Sequence, residues 1–262
     1  MKKYNLKNSI QAAIKTNNNT PRCAVVMYVK INKEEEKTGL YYILSRLFLK
    51  GTKTRTSDEI SDLLDENVID ISIDKKNDYF KFKLLCLNED IDLGLDILRD
   101  IFENSTFDDL NKEVEKIKGE FEADLDSAKI KAQDEYYRTI YKNHPYGTGR
   151  KEILNQIGSI TKEDLLKAYN EIKYNLPKNI CVVSSFEHKT VLNLLEKYLG
   201  GLITKKSEDT RKIPEKLDDN IISVVEKEDA NQAQIFQGWR FPSVYSEEYP
   251  VILLLNTIIG AS

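Results

Sequence analysis

In a chain of 262 residues with only two histidines, few side chains could do chemistry. His144 lies in the turn-like run NHPYGTG and His188 opens a helix-like run. Nothing in their positions joins them into a metal or acid–base pair, and turn and capping roles suit them better. Cys23, Cys86 and Cys181 sit far apart in apolar, strand-like runs without C-x-x-C spacing, which argues against a zinc knuckle or a disulfide framework. Ser45 has no sequence neighbour that would activate it as a nucleophile. Glu113 and Glu120, in EVEKIKGEF, taken alone mark an ordinary charged helix face.

These residues need elements to position them. Ala24 to Ile31 is rich in β-branched and aromatic residues, and the run Thr38 to Lys50 has apolar residues at helical spacing. A strand, the polar turn NKEEEK and a helix are expected there, with Thr38 as N-cap and Gly51 at the left-handed position past the helix end. Ser57 is expected to cap a short helix over Asp58 to Leu64. Val68 to Ile73 and Tyr79 to Leu87 alternate apolar and polar residues, as antiparallel strands with one wet face do. Helices are expected over Asp90 to Phe102, Thr161 to Lys173 with Thr161 as cap, and His188 to Leu199, with a strand over Asn179 to Ser184. Asp108 to Tyr141 reads as one long helix or a broken pair. The fold class that follows is α+β, a mainly antiparallel sheet with helices packed on one face.

Residues 1–203 form the first domain in this reading. The polar stretch 204–220 is the linker, and 221–262 begins a second, homologous domain. Ile221 to Val225 and Ala233 to Phe241 read as its strands and Ser246 to Ile259 as its helix. The run from strand to terminal glycine, Cys23 to Gly51, is echoed from Ala233 to Gly260, so the chain reads as ending inside its second unit. The apolar face of the last helix, Val251, Leu254, Leu255 and Ile258, is expected to be covered by the first domain or by another chain. Lys plus Arg, 39, nearly balances Asp plus Glu, 43, with the signs mixed, so no face for nucleic acid or anionic lipid stands out. No apolar run is long enough to span a membrane, and no signal-peptide core follows MKKYNLKNSI, so a cytoplasmic location is expected.

One segment says more. GLYYILSRLFLKGT, from Gly39 to Thr52, resembles the G-L-A-H-F-L-E-H-M-L-F-K-G-T helix of the insulinase/pitrilysin family of zinc peptidases, which includes the mitochondrial processing peptidase. There the inverted motif H-x-x-E-H supplies two zinc ligands and a general base. Tyr42 stands at the first histidine, Ser45 at the glutamate and Arg46 at the second histidine. The resemblance continues through Glu113 and Glu120, which match the family's later pair of glutamates, the second of them the third ligand. It extends over NHPYGTGRKEILNQIGSITKEDLLKAY, over Pro177-Lys178-Asn179, and over GWRFPSVYSEEYPVILLLNTIIG, which is similar to the opening of the second domain.

What the resemblance implies is a family member without the family's chemistry. Tyr42 is a poor ligand at neutral pH, and the guanidinium of Arg46 has no lone pair to offer a metal. No zinc and no catalytic residue are expected, and Arg46 is expected to form a salt bridge to Glu120 or to Glu113 in place of the metal. The implied function is that of a non-catalytic subunit which pairs with an active sister zinc peptidase, or with a second copy of itself. It would help bind peptide substrates along an edge strand at Ile69, Asp70, Ile71, Ser72 and Ile73. The alternatives are a structural or regulatory binding module that handles no peptide, and a metallopeptidase with an unrecognised site.

Overall fold

The computed structural model describes residues 1–206, 208–211, 213–215, 221–224 and 232–260. It divides into two compact units, one of Met1–Ala123 with Arg150–Ile213, the other of Asp124–Gly149 with Pro214–Ser262.

The first unit is built on a six-stranded sheet. Its strands are β1 (Lys2–Asn5), β2 (Gln11–Thr16), β3 (Arg22–Lys30), β4 (Asp70–Lys75), β5 (Tyr79–Leu87) and β6 (Lys178–Ser184), in spatial order β1-β2-β6-β3-β5-β4. All neighbours pair antiparallel except β2 and β6, which run parallel. The register explains why one face is dry. Val25 lies opposite Leu84 of β5 and Val182 of β6, and Met27 opposite Phe82 and Ile180; all six are buried. On the other face the same strands carry Lys81, Lys83 and Asn179. This is the α+β arrangement that the alternation predicts.

Helices of the first unit cover the dry face of its sheet, and further helices belong to the second unit. The elements are α1 (Leu40–Leu47), α2 (Ser57–Glu66), α3 (Ile91–Asn104), α4 (Leu110–Leu125), α5 (Ala128–Ile140), α6 (Arg150–Ile157), α7 (Lys162–Tyr174), α8 (His188–Leu199) and α9 (Tyr249–Ile259). Within the first unit, α3 packs on β5, α8 on β2 and α1 beside β4, with α7 against α1. Phe48 lies at the centre of the core, with ring contacts to Phe82, Phe107 and Tyr169.

Several boundaries differ from expectation for identifiable reasons. Helix α1 starts after Gly39, at φ 89°, and not at Thr38. Its first amides are met from outside, since the Glu35 carboxylate accepts from Gly39 N at 2.9 Å and from Tyr41 N at 2.8 Å. Gly51, at φ 121°, has the positive φ foreseen for it. Thr56 and not Ser57 caps α2, in a reciprocal capping box with Glu59. The long acidic run breaks at Asp126–Ser127 into α4 and α5. Strand β4 begins two residues later than read, so Ile69 lies before it and Val68 takes the turn at φ 52°.

Strands β1 and β2 and helix α6 are additions to the sequence reading. Described residues 221–224 and 233–241 form no strand and have no ladder partner among the described residues, and Val225 lies outside the described residues. The last helix starts at Tyr249, three residues after Ser246, and Val251, Leu254, Leu255 and Ile258 are exposed. In the polar stretch after Ile203, Thr210 N donates to Asn32 O at 2.8 Å, and Asp209 pairs with Lys30 at 3.2 Å. No helix among the described residues is long and apolar enough to cross a membrane.

Two outcomes follow. Val68 is β-branched, left-handed and 78% exposed, so Val68→Gly removes strain and loses no packing. It should stabilise the chain by about 1 kcal/mol in urea unfolding. Lys178 is 2% exposed, donates to Leu176 O at 3.0 Å, and has its pKa pushed down to about 8 by burial. Between about pH 8 and the ordinary lysine value near 10, the unfolded chain holds a proton that the folded chain has released. Stability should therefore rise with pH across that window, and Lys178→Met should flatten the slope in pH-dependent melting.

Candidate functional site

Three side chains of α1 and two of α4 make the site. Tyr42 and Arg46 lie one turn apart on α1, and Glu113 and Glu120 two turns apart on α4, so each pair shares a helix face. Arg46 joins the helices: its Nε donates to Glu113 Oε1 at 2.7 Å and its Nη2 to Glu120 Oε1 at 2.9 Å. The salt bridge foreseen to one glutamate or the other is made to both. Glu113 is the more buried partner, with 5% of its side chain exposed against 39% for Glu120.

The surrounding groups fix protonation. Partial burial works against the charge on Arg46, but the bonds to Glu113 and Glu120 outweigh it and raise its pKa. Burial pushes the Tyr42 phenol up, with Arg46 opposing, so at neutral pH it is a protonated phenol. The Tyr42 ring lies 5.3 Å from that of Phe121, over which Arg150 sits at 5.8 Å. Ser45 is buried and donates to Tyr42 O at 2.7 Å, a bond inside the helix that leaves it no role as base or nucleophile.

Zinc does not fit this donor set. It would need lone pairs from at least three side chains. Tyr42 is protonated, Ser45 is spent on the helix, Arg46 is a cation, and both carboxylates are turned to Arg46. The other candidates have separate occupations. His144 Nδ1 accepts from Tyr146 N at 3.2 Å, capping the turn at Pro145–Gly147. His188 Nδ1 is 2.8 Å from Tyr4 Oη.

Two carboxylates missed in the sequence hold α1 in place. Besides Glu35, buried Asp100 of α3 accepts from Thr52 Oγ1 at 2.7 Å, Thr54 Oγ1 at 2.8 Å, Arg55 Nη1 at 2.9 Å and Asn104 Nδ2 at 2.8 Å. The cue for Asp100 was present as the hydroxyl-rich G-T-K-T-R-T run after α1, which has no strand or helix to satisfy it.

The expected edge strand is an edge. β4 has β5 on one side, with Asp70 paired to Lys83 at 3.1 Å and Asp74 to Lys81 at 3.5 Å on the wet face, and Ile71 buried on the other. Lys76 N donates to Tyr79 O, so even-numbered residues of β4 turn their amides to β5 while Ile71, Ile73 and Lys75 turn theirs outward.

Removing the guanidinium would strand a buried carboxylate. Arg46→Met should cost about 3 kcal/mol in urea unfolding, and adding Glu113→Gln should return most of it. Glu120→Gln, at a half-exposed partner, should cost under about 1 kcal/mol.

Comparison with known proteins agrees with this architecture. The family profile described as Insulinase (Peptidase family M16) matches residues 11–151, and that of the Peptidase M16 inactive domain matches residues 159–262. An uncharacterized zinc protease of Bacillus subtilis is 23% identical over all of this chain and 64% of its own length. Human cytochrome b-c1 complex subunit 1 is 22% identical over 72% of this chain and 40% of its own length. The crystal structure of a peptidase M16 inactive domain from Pseudomonas fluorescens superposes with a TM-score of 0.73 at 14% identity, covering 82% of this chain and 53% of that one. The chain thus spans less than two thirds of these relatives. With its family profiles matched from Gln11 to Ser262, the chain belongs to the insulinase family, peptidase family M16.

Proposed function

We propose that this chain is a catalytically silent member of its family. In this proposal it carries no zinc at the α1–α4 site, lends its β4 edge to peptides, and acts beside an active sister peptidase or a second copy of itself. The observation that carries the proposal is the guanidinium of Arg46 between Glu113 and Glu120. A permanent cation there satisfies the carboxylates that a metal would need and offers no electron pair to it. Both carboxylates of the site are engaged by Arg46, which opposes their use as a general base as well as their use as metal ligands. The edge remains usable, because the outward amides and carbonyls of Ile71, Ile73 and Lys75 can pair with an extended backbone whatever its side chains. Pairing with another peptidase subunit is supported by a relative named as a subunit of a complex. The cytoplasmic location is part of the same proposal.

Elemental analysis and melting test this together. The purified chain should hold no stoichiometric zinc, and a chelator should leave its melting midpoint unchanged, because no metal binding is linked to folding. The combined Tyr42→His, Ser45→Glu and Arg46→His variant supplies both imidazoles and a base beside Glu120, and should take up one zinc per chain. One zinc in the unaltered chain, lost together with stability on chelation, would overturn the proposal.

A further inference from the structure

We propose that Cys23 and Cys86 form a redox modification site: a reversible cross-strand disulfide made in the core of the sheet by hydroperoxides. The two residues lie directly opposite each other in the β3–β5 ladder. Bonds from Asn88 N to Pro21 O and from Ile31 N to Asp78 O set the rungs of that ladder at odd-numbered residues of β3. Cys23 and Cys86 therefore occupy a hydrogen-bonded pair, whose Cα atoms stand about 5.5 Å apart. A disulfide spans roughly 4.4 to 6.8 Å between Cα atoms and about 3.5 to 4.5 Å between Cβ atoms, so this pair must draw its Cβ atoms slightly together to close the bond, which favours its reversal by a thiol. Opposed residues point to the same face, and both thiols are free, with Cys23 fully buried and Cys86 4% exposed.

The two thiols are not equivalent. The hydrogen bond from Cys23 lowers the pKa of Cys86, against the opposing effects of burial and Asp90, while the same bond and burial raise that of Cys23. Cys86 is thus both the better nucleophile and the one with residual access. The β3–β6 register extends the row, placing Ser184 on the other side of Cys23. Its hydroxyl is buried without a hydrogen-bond partner among the described residues. Cys181 lies opposite Val26, on the other face of the sheet, and is left out of the pair.

The steps balance. The Cys86 thiolate attacks one peroxide oxygen, the O–O bond breaks, and the departing oxygen takes up a proton as water or alcohol. Cys23 sulfur then attacks the resulting sulfenic acid, the S–O bond breaks, and hydroxide leaves with the Cys23 proton as water. Two thiols lose two electrons and the hydroperoxide gains them; a small thiol returns them by exchange. The bond ties β3 to β5 and closes the loop that contains α1, α2 and β4, hence Arg46 and the edge strand.

The test treats the reduced full chain with hydrogen peroxide, alkylates under denaturing conditions and maps peptides without reductant. The expected result is loss of two of three alkylatable thiols, a Cys23–Cys86 linked peptide and reversal by dithiothreitol. The melting midpoint of the oxidised chain should rise by about 10 °C, since the bond constrains a long loop in the unfolded state. Cys23→Val and Cys86→Ala should each abolish link and shift. Three alkylatable thiols after peroxide, Cys86 driven to sulfinic acid without a link, or a link through Cys181 would overturn the proposal. The map of the unaltered chain decides this even if a variant fails to fold.

Discussion

A carboxylate that is almost wholly out of water must find a cation, and the arrangement of α1 and α4 follows from that need at Glu113. Arg46 meets it only if α1 is held in place along its length, and two further carboxylates do the holding. Glu35 receives the first amides of α1, and Asp100 gathers the hydroxyls and guanidinium of the turn beyond its end. An eight-residue helix too short to be stable alone is thereby fixed at its start, its end and its outer face.

This is also why a guanidinium in place of a metal need not mean loss of fold. A metal site and an arginine between two glutamates solve the same electrostatic problem, neutralising two neighbouring carboxylates of which one, Glu113, is kept from water by packing. They differ in what is left over. A metal with an open coordination position can polarise a water or a carbonyl, whereas a guanidinium has only donor N–H groups. Family and fold are therefore established on grounds separate from activity.

Much of this was legible in the sequence where periodicity and charge speak directly. The alternation of Phe80, Phe82 and Leu84 gives the dry face of β5, whereas the meeting of Arg46 with Glu113 and Glu120 was expected only from the resemblance to the zinc peptidases, since the two glutamates alone read as a charged helix face. Adjacent hydroxyls were harder: Thr56 and Ser57 can each cap a helix, and the decision lies in Glu59, which is three residues from Thr56 and so closes the capping box. Strand β1, with sequence KKYN, carries no apolar alternation and exists because β2 offers it a ladder. Ala233 to Phe241 shows the converse, strand-like composition that forms no ladder among the described residues. Edge amides, cross-strand thiol contacts and buried caps depend on register, which local pattern does not set alone.

The one parallel pairing in the sheet has a consequence for how the chain is made. Strand β2 joins the sheet only through β6, yet it ends at Thr16 while β6 opens at Lys178. On a ribosome, on the order of 10 s of synthesis separates the two. During that interval the amino-terminal hairpin has nothing to dock on, and the β3 edge that later receives β6 stands open in the nascent chain. The β4–β5 hairpin can pair with β3 early, with α1 and α2 between them in the chain, but the sheet closes last and from its first residues. That order leaves the emerging polypeptide with two unsatisfied strand edges, the condition under which chaperone capture and mispairing with a neighbouring nascent chain compete with folding.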